Sequence, residues 1–192
     1  MIRRFYLRGG KRLGDILVAC AGLVVFTIPM AWIAWRAARE LSLSPIFRQP
    51  RVGYRGKEFV ILKFRTMSEA GSIGPFSQRL RRTALDELPQ LFNILRGEMS
   101  FVGPRPLIPE ELSELDRIPQ GDRRLEVRPG LTGMAQIYAD KVPTLAERLR
   151  WDLEYVWRCS AGLDLWILLQ SVRITLRGAW ERPGSKTPGA GR

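Results

Sequence analysis

Histidine is absent from the 192 residues, which removes the Ser-His-Asp triad, the Cys-His nucleophile pair and the commonest zinc sites. Any acid–base or nucleophilic chemistry therefore falls to carboxylates, Lys, Tyr, Ser or Cys. Cysteine is scarce too: Cys20 and Cys159 have no CxxC spacing and build no disulfide framework. Both are expected to be reduced, packed side chains in a cytosol-facing protein. Acidic residues are outnumbered, 19 Asp and Glu against 31 Lys and Arg, for a formal charge of +12. Such a balance points to nucleic acid, an anionic membrane surface or phosphorylated small molecules. The chain lacks a recognisable nucleic-acid-binding motif, and nucleic acid would leave its apolar segment unexplained, so no nucleic-acid partner is expected. The length suits one domain with its own core.

The apolar segment runs over residues 16–35, twenty positions without a charge, enough to cross a bilayer as a straight helix. A cleaved signal peptide fits poorly, because the run is long and no small-x-small site follows it. Trp32 and Trp35 at one end suit a membrane interface. Both flanks are basic: Arg3, Arg4, Arg8, Lys11 and Arg12 precede it, and Arg36, Arg39, Arg48 and Arg51 follow. A spanning helix wants one strongly basic side. Pro29 removes a hydrogen bond within the run and favours a bend there. A re-entrant anchor that bends at Pro29 and returns to the same face accounts for both features, with a simple span as the competing reading. Asp15, at the cytosolic lip, reads as a helix cap or as a charge partner of the neighbouring basic residues.

Residues 46–48 and 58–66 read as strands around a Gly53-Tyr54-Arg55-Gly56 turn. Alternation places Lys63 and Arg65 on one face, as a solvated surface or as a phosphate clamp. Residues 68–76 read as a Gly/Ser-rich loop. The stretch Thr83-Ala84-Leu85-Asp86-Glu87-Leu88-Pro89 then reads as the start of a helix, with Leu88, Leu91, Phe92 and Leu95 on its apolar face. Thr83 or Asp86 would cap it, Pro89 would sit in its first turn, and a basic residue with glycine, Arg96-Gly97, would end it. That placement puts Asp86 and Glu87 at the positive end of the helix dipole.

Beyond it, Pro104 and Pro106 stiffen the backbone on both sides of Arg105. Arg128-Pro129-Gly130-Leu131-Thr132-Gly133 forms a second stiffened basic loop, whose glycines could bring backbone N–H groups to an anion. Residues 110–116, 144–157 and 162–176 read as helices; Trp151, Trp157 and Trp166 suit either a membrane interface or core packing. Residues 181–192, rich in Pro, Gly and charge, read as a disordered tail.

Together, Lys63-Phe64-Arg65-Thr66-Met67, Leu85-Asp86-Glu87-Leu88-Pro89-Gln90-Leu91, Met99-Ser100-Phe101-Val102-Gly103-Pro104-Arg105-Pro106 and Arg128-Pro129-Gly130-Leu131-Thr132-Gly133-Met134-Ala135-Gln136 resemble the motifs of the bacterial sugar transferases, the small monotopic phosphoglycosyl transferases. The likeness runs in order over most of the chain. It implies an α+β fold, mainly helical, with a re-entrant membrane helix, a small β-hairpin and interfacial amphipathic helices around a compact catalytic core. The corresponding segments are 1–40, flank and membrane helix; 41–178, catalytic core; and 179–192, tail. The likeness also implies transfer of a phosphosugar from a UDP-sugar to a polyprenyl phosphate such as undecaprenyl phosphate, at the cytosolic face of the bacterial inner membrane and among its lipids, with Mg2+ as cofactor. In the mechanism it implies, Asp86 attacks the β-phosphorus, UMP leaves, and the lipid phosphate takes the phosphosugar from the aspartyl intermediate. Glu87 would assist, Lys63, Arg65, Arg105 and Arg128 would contact phosphate or nucleotide, and Asp86 would ligate the metal. A homo-oligomer is left open, and a catalytically silent membrane scaffold of the same fold is the alternative. Two departures stand out: Ile28-Pro29 replaces the family's frequent Ser-Pro pair, and Ile137-Tyr138-Ala139-Asp140-Lys141 replaces an Asn-Gly-Arg-like run.

Overall fold

The structure, a computed structural model, describes residues 6–115, 117–139 and 144–180. Asp116, Asp140, Lys141, the basic residues Arg3 and Arg4, and the 181–192 tail lie outside the described residues.

The longest element is helix α1, Lys11–Leu41, a single helical run through Pro29. Its buried residues, Asp15 and Ala19 in one half and Ile33 and Ala37 in the other, mark where it meets the rest of the protein. Ala19 and Leu23 pack with Phe59, Ile61, Leu91, Ile94 and Met99. Ile33, Met30 and Ala34 pack with Phe64 and Leu80. Between these contacts Val24, Val25 and Ile28 are two-thirds or more exposed, Ile28 to 80%. Around Pro29 the hydroxyl of Thr27 donates to the Leu23 carbonyl at 2.5 Å, a back-bond that favours helix bending. Asp15 is no cap, though its charge acts on Arg12 one turn earlier. It lies inside the helix and accepts from the Ser100 hydroxyl (3.0 Å) and the Phe101 N–H (3.1 Å), tying α1 to the core. Cys20 also differs from expectation: it is exposed on α1, whereas Cys159 is buried and both are free thiols.

Strands β1, Ile46–Val52, and β2, Glu58–Phe64, form an antiparallel hairpin across the predicted turn. Pro50 is accommodated because this sheet has only two strands, leaving β1 with a free edge. Helix α2, Pro75–Thr83, follows. It ends at Ala84, which adopts the left-handed conformation (φ 54°). A 3-10 turn, Leu85–Glu87, and then helix α3, Gln90–Arg96, come next. The helix expected to start at Asp86 therefore starts four residues later. Thr83 is no cap: its hydroxyl donates back to the Arg79 carbonyl at 2.9 Å. The apolar face is shifted as well. Gln90, Leu91, Asn93 and Ile94 are buried, whereas Phe92 is exposed.

Strand β3, Ser100–Val102, pairs in parallel with β4, Gly130–Thr132, and between them lie α4, Pro109–Leu115, and a 3-10 turn, Gly121–Glu126. The glycines of this crossing do not present N–H groups to a ligand. Gly130 N–H donates to the Pro104 carbonyl (2.8 Å) and Gly103 N–H to the Thr132 carbonyl (2.9 Å). A Cβ on Gly130 would stand 2.1 Å from the Gly103 nitrogen. Gly130→Ala is thus expected to cost about 3 kcal/mol or more of stability, read as a lowered Tm of the detergent-extracted protein.

Short helix α5, Met134–Tyr138, leads to α6, Leu145–Arg158, and α7, Ala161–Leu176. Thr144 and Ser160 cap α6 and α7, accepting from the N–H groups of Glu147 and Leu163. Tyr138 stacks between Trp151 and Trp166 at 4.9 and 5.7 Å. Helix α7 buries Ile167 against Val102 and Tyr155 but exposes Leu165, Leu169, Val172 and Leu176 as one stripe.

Candidate active site

The 3-10 turn carrying Asp86 and Glu87 is fixed from below by α3. Asn93 is fully buried; its side chain accepts from Leu62 N–H (3.1 Å) and donates to the Val60 carbonyl (2.7 Å), pinning α3 to β2. At the other end of α3, Arg12 donates to the Leu95 carbonyl (2.8 Å) and Arg128 to the Gly97 carbonyl (2.9 Å), cations at the negative end of a helix. A left-handed residue at Ala84 turns the chain between α2 and this platform and brings Glu87 over β2.

Glu87 points into a cleft lined by Arg51, Ile61, Lys63, Gln90 and Arg105. The Lys63 ammonium pairs with the Glu87 carboxylate at 2.5 Å, each side chain less than one-fifth exposed. Burial pushes the Glu87 carboxyl up, but Lys63 and Arg105 outweigh it and hold the group below the usual carboxylate range. Asp86 differs. It is not among the residues that line the cleft; among the described residues its carboxylate has no ion-pair partner, and burial, with repulsion from Glu87, pushes it up to about 7 against the pull of Lys63 and Arg81. Adjacent carboxylates thus sit in opposite electrostatic settings, which marks functional sites more often than structural ones.

Of the four predicted basic contacts, Lys63 and Arg105 line the cleft. Arg65 does not: β2 ends at Phe64, and the Arg65 guanidinium donates to the Ser44 carbonyl (2.9 Å) and lies over the Phe47 ring. Arg128 is outside it too, bound to Gly97 and lying over the Tyr54 ring at 5.3 Å. Two further residues line the cleft. Arg51 lines the cleft from β1, with its guanidinium lowered to about 10 by burial and by Arg105 nearby. Gln90, 1% exposed, lines it from α3. Arg51 was legible in principle. It pairs with Phe59, on the face shared by Ile61 and Lys63, but the strand signal stops at Pro50.

Three cations against one ion-paired carboxylate leave the cleft with a positive excess, and Arg51 and Arg105 repel each other within it. Two arginines held together in a partly buried cleft suit an anion such as a phosphate, with Arg51 anchored by bonds to the Pro106 carbonyl (3.2 Å) and Gln49 Oε1 (2.6 Å). The donors present limit how a magnesium ion could be held. Among the described residues no three His, Cys, Asp or Glu side chains cluster as a metal cage. Asp86 offers one carboxylate without an ion-pair partner, which fits the way Mg2+ is held by one or two carboxylates together with phosphate oxygens and water.

Similarity to known proteins extends over most of the chain. The sequence pattern of the bacterial sugar transferases matches residues 6–178. A UDP-glucose:undecaprenyl-phosphate glucose-1-phosphate transferase of Caulobacter vibrioides is 38% identical, over 84% of this chain and 68% of its own. The uncharacterized sugar transferase EpsL of Bacillus subtilis is 36% identical, over 86% and 87%. An uncharacterized sugar transferase of Haemophilus influenzae is 34% identical over 86% of this chain, which spans only 41% of that longer protein. With a match over nearly the whole chain and the shared motifs gathered around one cationic cleft, this protein belongs to the bacterial sugar transferase family.

Proposed function

We propose that the protein transfers a phosphosugar from a UDP-sugar to a polyprenyl phosphate, with Asp86 as the nucleophile. The observation that carries this reading is a turn that sets Asp86, a carboxylate with no ion-pair partner among the described residues, directly beside Glu87, which lines a cleft holding three cations, in a chain without histidine. An Asp86 oxygen attacks the β-phosphorus of the donor. The bond from that phosphorus to the bridging oxygen breaks, and UMP leaves with the oxygen. An oxygen of the polyprenyl phosphate then attacks the same phosphorus and restores the carboxylate, leaving a lipid diphosphate-sugar. Lys63, Arg51 and Arg105 offset the charge that gathers as a carboxylate approaches a diphosphate. Glu87, ionised and holding the Lys63 ammonium in place, raises the basicity of its neighbour. A Mg2+ ion held at Asp86 and by donor phosphates would supply further charge neutralisation. Glucose is the first sugar to test, because relatives are named for it.

The reading places the reaction at the cytosolic face of the inner membrane. At about 1.5 Å per residue, the 31 residues of α1 are long enough to span a bilayer core of about 30 Å. Yet both halves of α1 pack against the same protein body. One body cannot touch both ends of a helix from opposite sides of a membrane, which supports a monotopic anchor over a span. The apolar stripe of α7 would lie in the same interface. Cysteines placed by Gly9→Cys and Ser44→Cys, in a Cys20→Ala background, are therefore expected to react with an impermeant maleimide from the same face. Labelling from opposite faces would establish a span.

The function itself is tested by UMP release from a panel of UDP-sugars in the presence of undecaprenyl phosphate and Mg2+. The transfer reading expects acceptor-dependent product with at least one donor. No turnover with any donor would favour the silent scaffold.

A further inference from the structure

The loop carrying Arg105 is held more firmly than a turn between two prolines requires. Four successive carbonyls accept from four different donors: Pro104 from Gly130 N–H (2.8 Å), Arg105 from the Arg124 guanidinium (2.6 Å), Pro106 from the Arg51 guanidinium (3.2 Å) and Leu107 from Val52 N–H (2.9 Å). Arg124 is the unexpected member. It is 5% exposed, comes from the 3-10 turn Gly121–Glu126, and does not line the cleft. The nitrogen that donates to the Arg105 carbonyl, Nη2, also meets the Asp152 carboxylate of α6 at 2.7 Å, and Asp152 is 2% exposed. One turn earlier on α6, Arg148 pairs with Glu111 (2.5 Å), whose other oxygen accepts from Ile108 N–H (3.2 Å). Two ion pairs thus run from one helix to residues 105 and 108 of the same loop.

A buried ion pair is a weak stabiliser, because desolvation offsets its attraction, and well-packed apolar residues often replace it without loss. Stability alone therefore gives little reason for Arg124 and Asp152, whereas the shared Nη2 links them to a residue of the cleft.

We propose that Asp152 and Arg124 are a positioning pair that fixes the backbone beneath Arg105 and so aims its guanidinium at the nucleoside diphosphate of the donor. The proposal rests on the transferase reading for the identity of that ligand. Asp152 bears the counter-charge that keeps Arg124 in place, and Arg124 supplies the bond that keeps the Arg105 carbonyl from turning. Neither residue touches the ligand.

The test measures the affinity of the full-length, detergent-extracted protein for UDP, the part common to UDP-sugar donors, by calorimetry beside thermal unfolding. Asp152→Asn leaves Arg124 buried without its counter-charge and is expected to lower Tm as well as affinity. The variant that removes both charges, Asp152→Asn with Arg124→Met, separates the two effects: Tm is expected to recover, while the Kd for UDP stays raised by about tenfold for want of the bond to the Arg105 carbonyl. Adding Arg105→Ala to that variant is expected to weaken binding no further than Arg105→Ala alone, because the pair acts through Arg105. Wild-type affinity in the charge-free variant, or a loss that multiplies with that of Arg105→Ala, would overturn the proposal. Wild type that binds UDP but turns over no donor would instead count against the transferase reading and leave the positioning result standing. Wild type that does not bind UDP would overturn both.

Discussion

Asp86→Asn is expected to lower UMP release from the active donor by on the order of 10³-fold or more, with the fold and the membrane association unchanged. The change is nearly isosteric, and among the described residues it breaks no ion pair. It removes one negative charge beside Glu87 in a setting where burial already disfavours that charge, so stability should hold or rise slightly. A large loss of turnover from a protein of undiminished Tm would separate chemistry from folding. A role in donor binding alone would instead raise KM and leave kcat intact.

Lys63→Met is expected to have the second-largest effect, about 10²-fold in kcat/KM. Lys63 serves two neighbours. It neutralises Glu87 directly at 2.5 Å, and of the neighbouring cations it pulls the Asp86 carboxyl down most strongly. Without it, two adjacent carboxylates face each other in a mostly buried site and neither has an ammonium. Breaking a buried pair from one side is costly because it leaves a charge unpaired, while removing both partners relieves that cost. Lys63→Met combined with Glu87→Gln is therefore expected to recover Tm but not activity, since the cation that meets the donor phosphates is still missing. Recovery of activity together with Tm would make the pair merely structural.

The motifs of the site were legible because Asp86, Glu87, Lys63 and Arg105 stand in short contiguous stretches, and the β-hairpin because alternating apolar residues flank a two-glycine turn. The start of α3 was not, for a physical reason. Thr83 and Asp86 are both good caps, and local pattern cannot show that Ala84, a residue with no preference for the left-handed region, would adopt it. Arg65 and Arg128 carry the same charge as Arg105 but spend it on backbone carbonyls at Ser44 and Gly97. Which carbonyl an arginine finds depends on elements distant in sequence, so composition and spacing could not divide these four cations. The same holds for Arg124, one of three arginines in a short basic stretch, whose partners Arg105 and Asp152 lie 19 positions before it and 28 after it. Gly130 looked like an anion-binding position, and instead lets its backbone cross that of Gly103 with both N–H groups already bonded.

Arg51 and Gln90 change the picture of the cleft more than any other residues. They add a third cation and a buried amide to its lining, and the Gln90 amide helps to hold the Glu87 carboxyl down. The cationic cleft stands beside a turn whose Asp86 carboxylate has no ion pair among the described residues and feels Lys63 and Arg81 only at longer range.

The most direct measurement of the central claim is mass spectrometry of the intact protein after incubation with the active UDP-sugar and Mg2+, with the polyprenyl phosphate withheld. The covalent account predicts an added sugar-phosphate on the peptide that contains Asp86, formed together with UMP, absent in Asp86→Asn, and discharged when undecaprenyl phosphate is supplied. UMP that forms only when both substrates are present, with the protein mass unchanged throughout and Asp86→Asn still active, would contradict it.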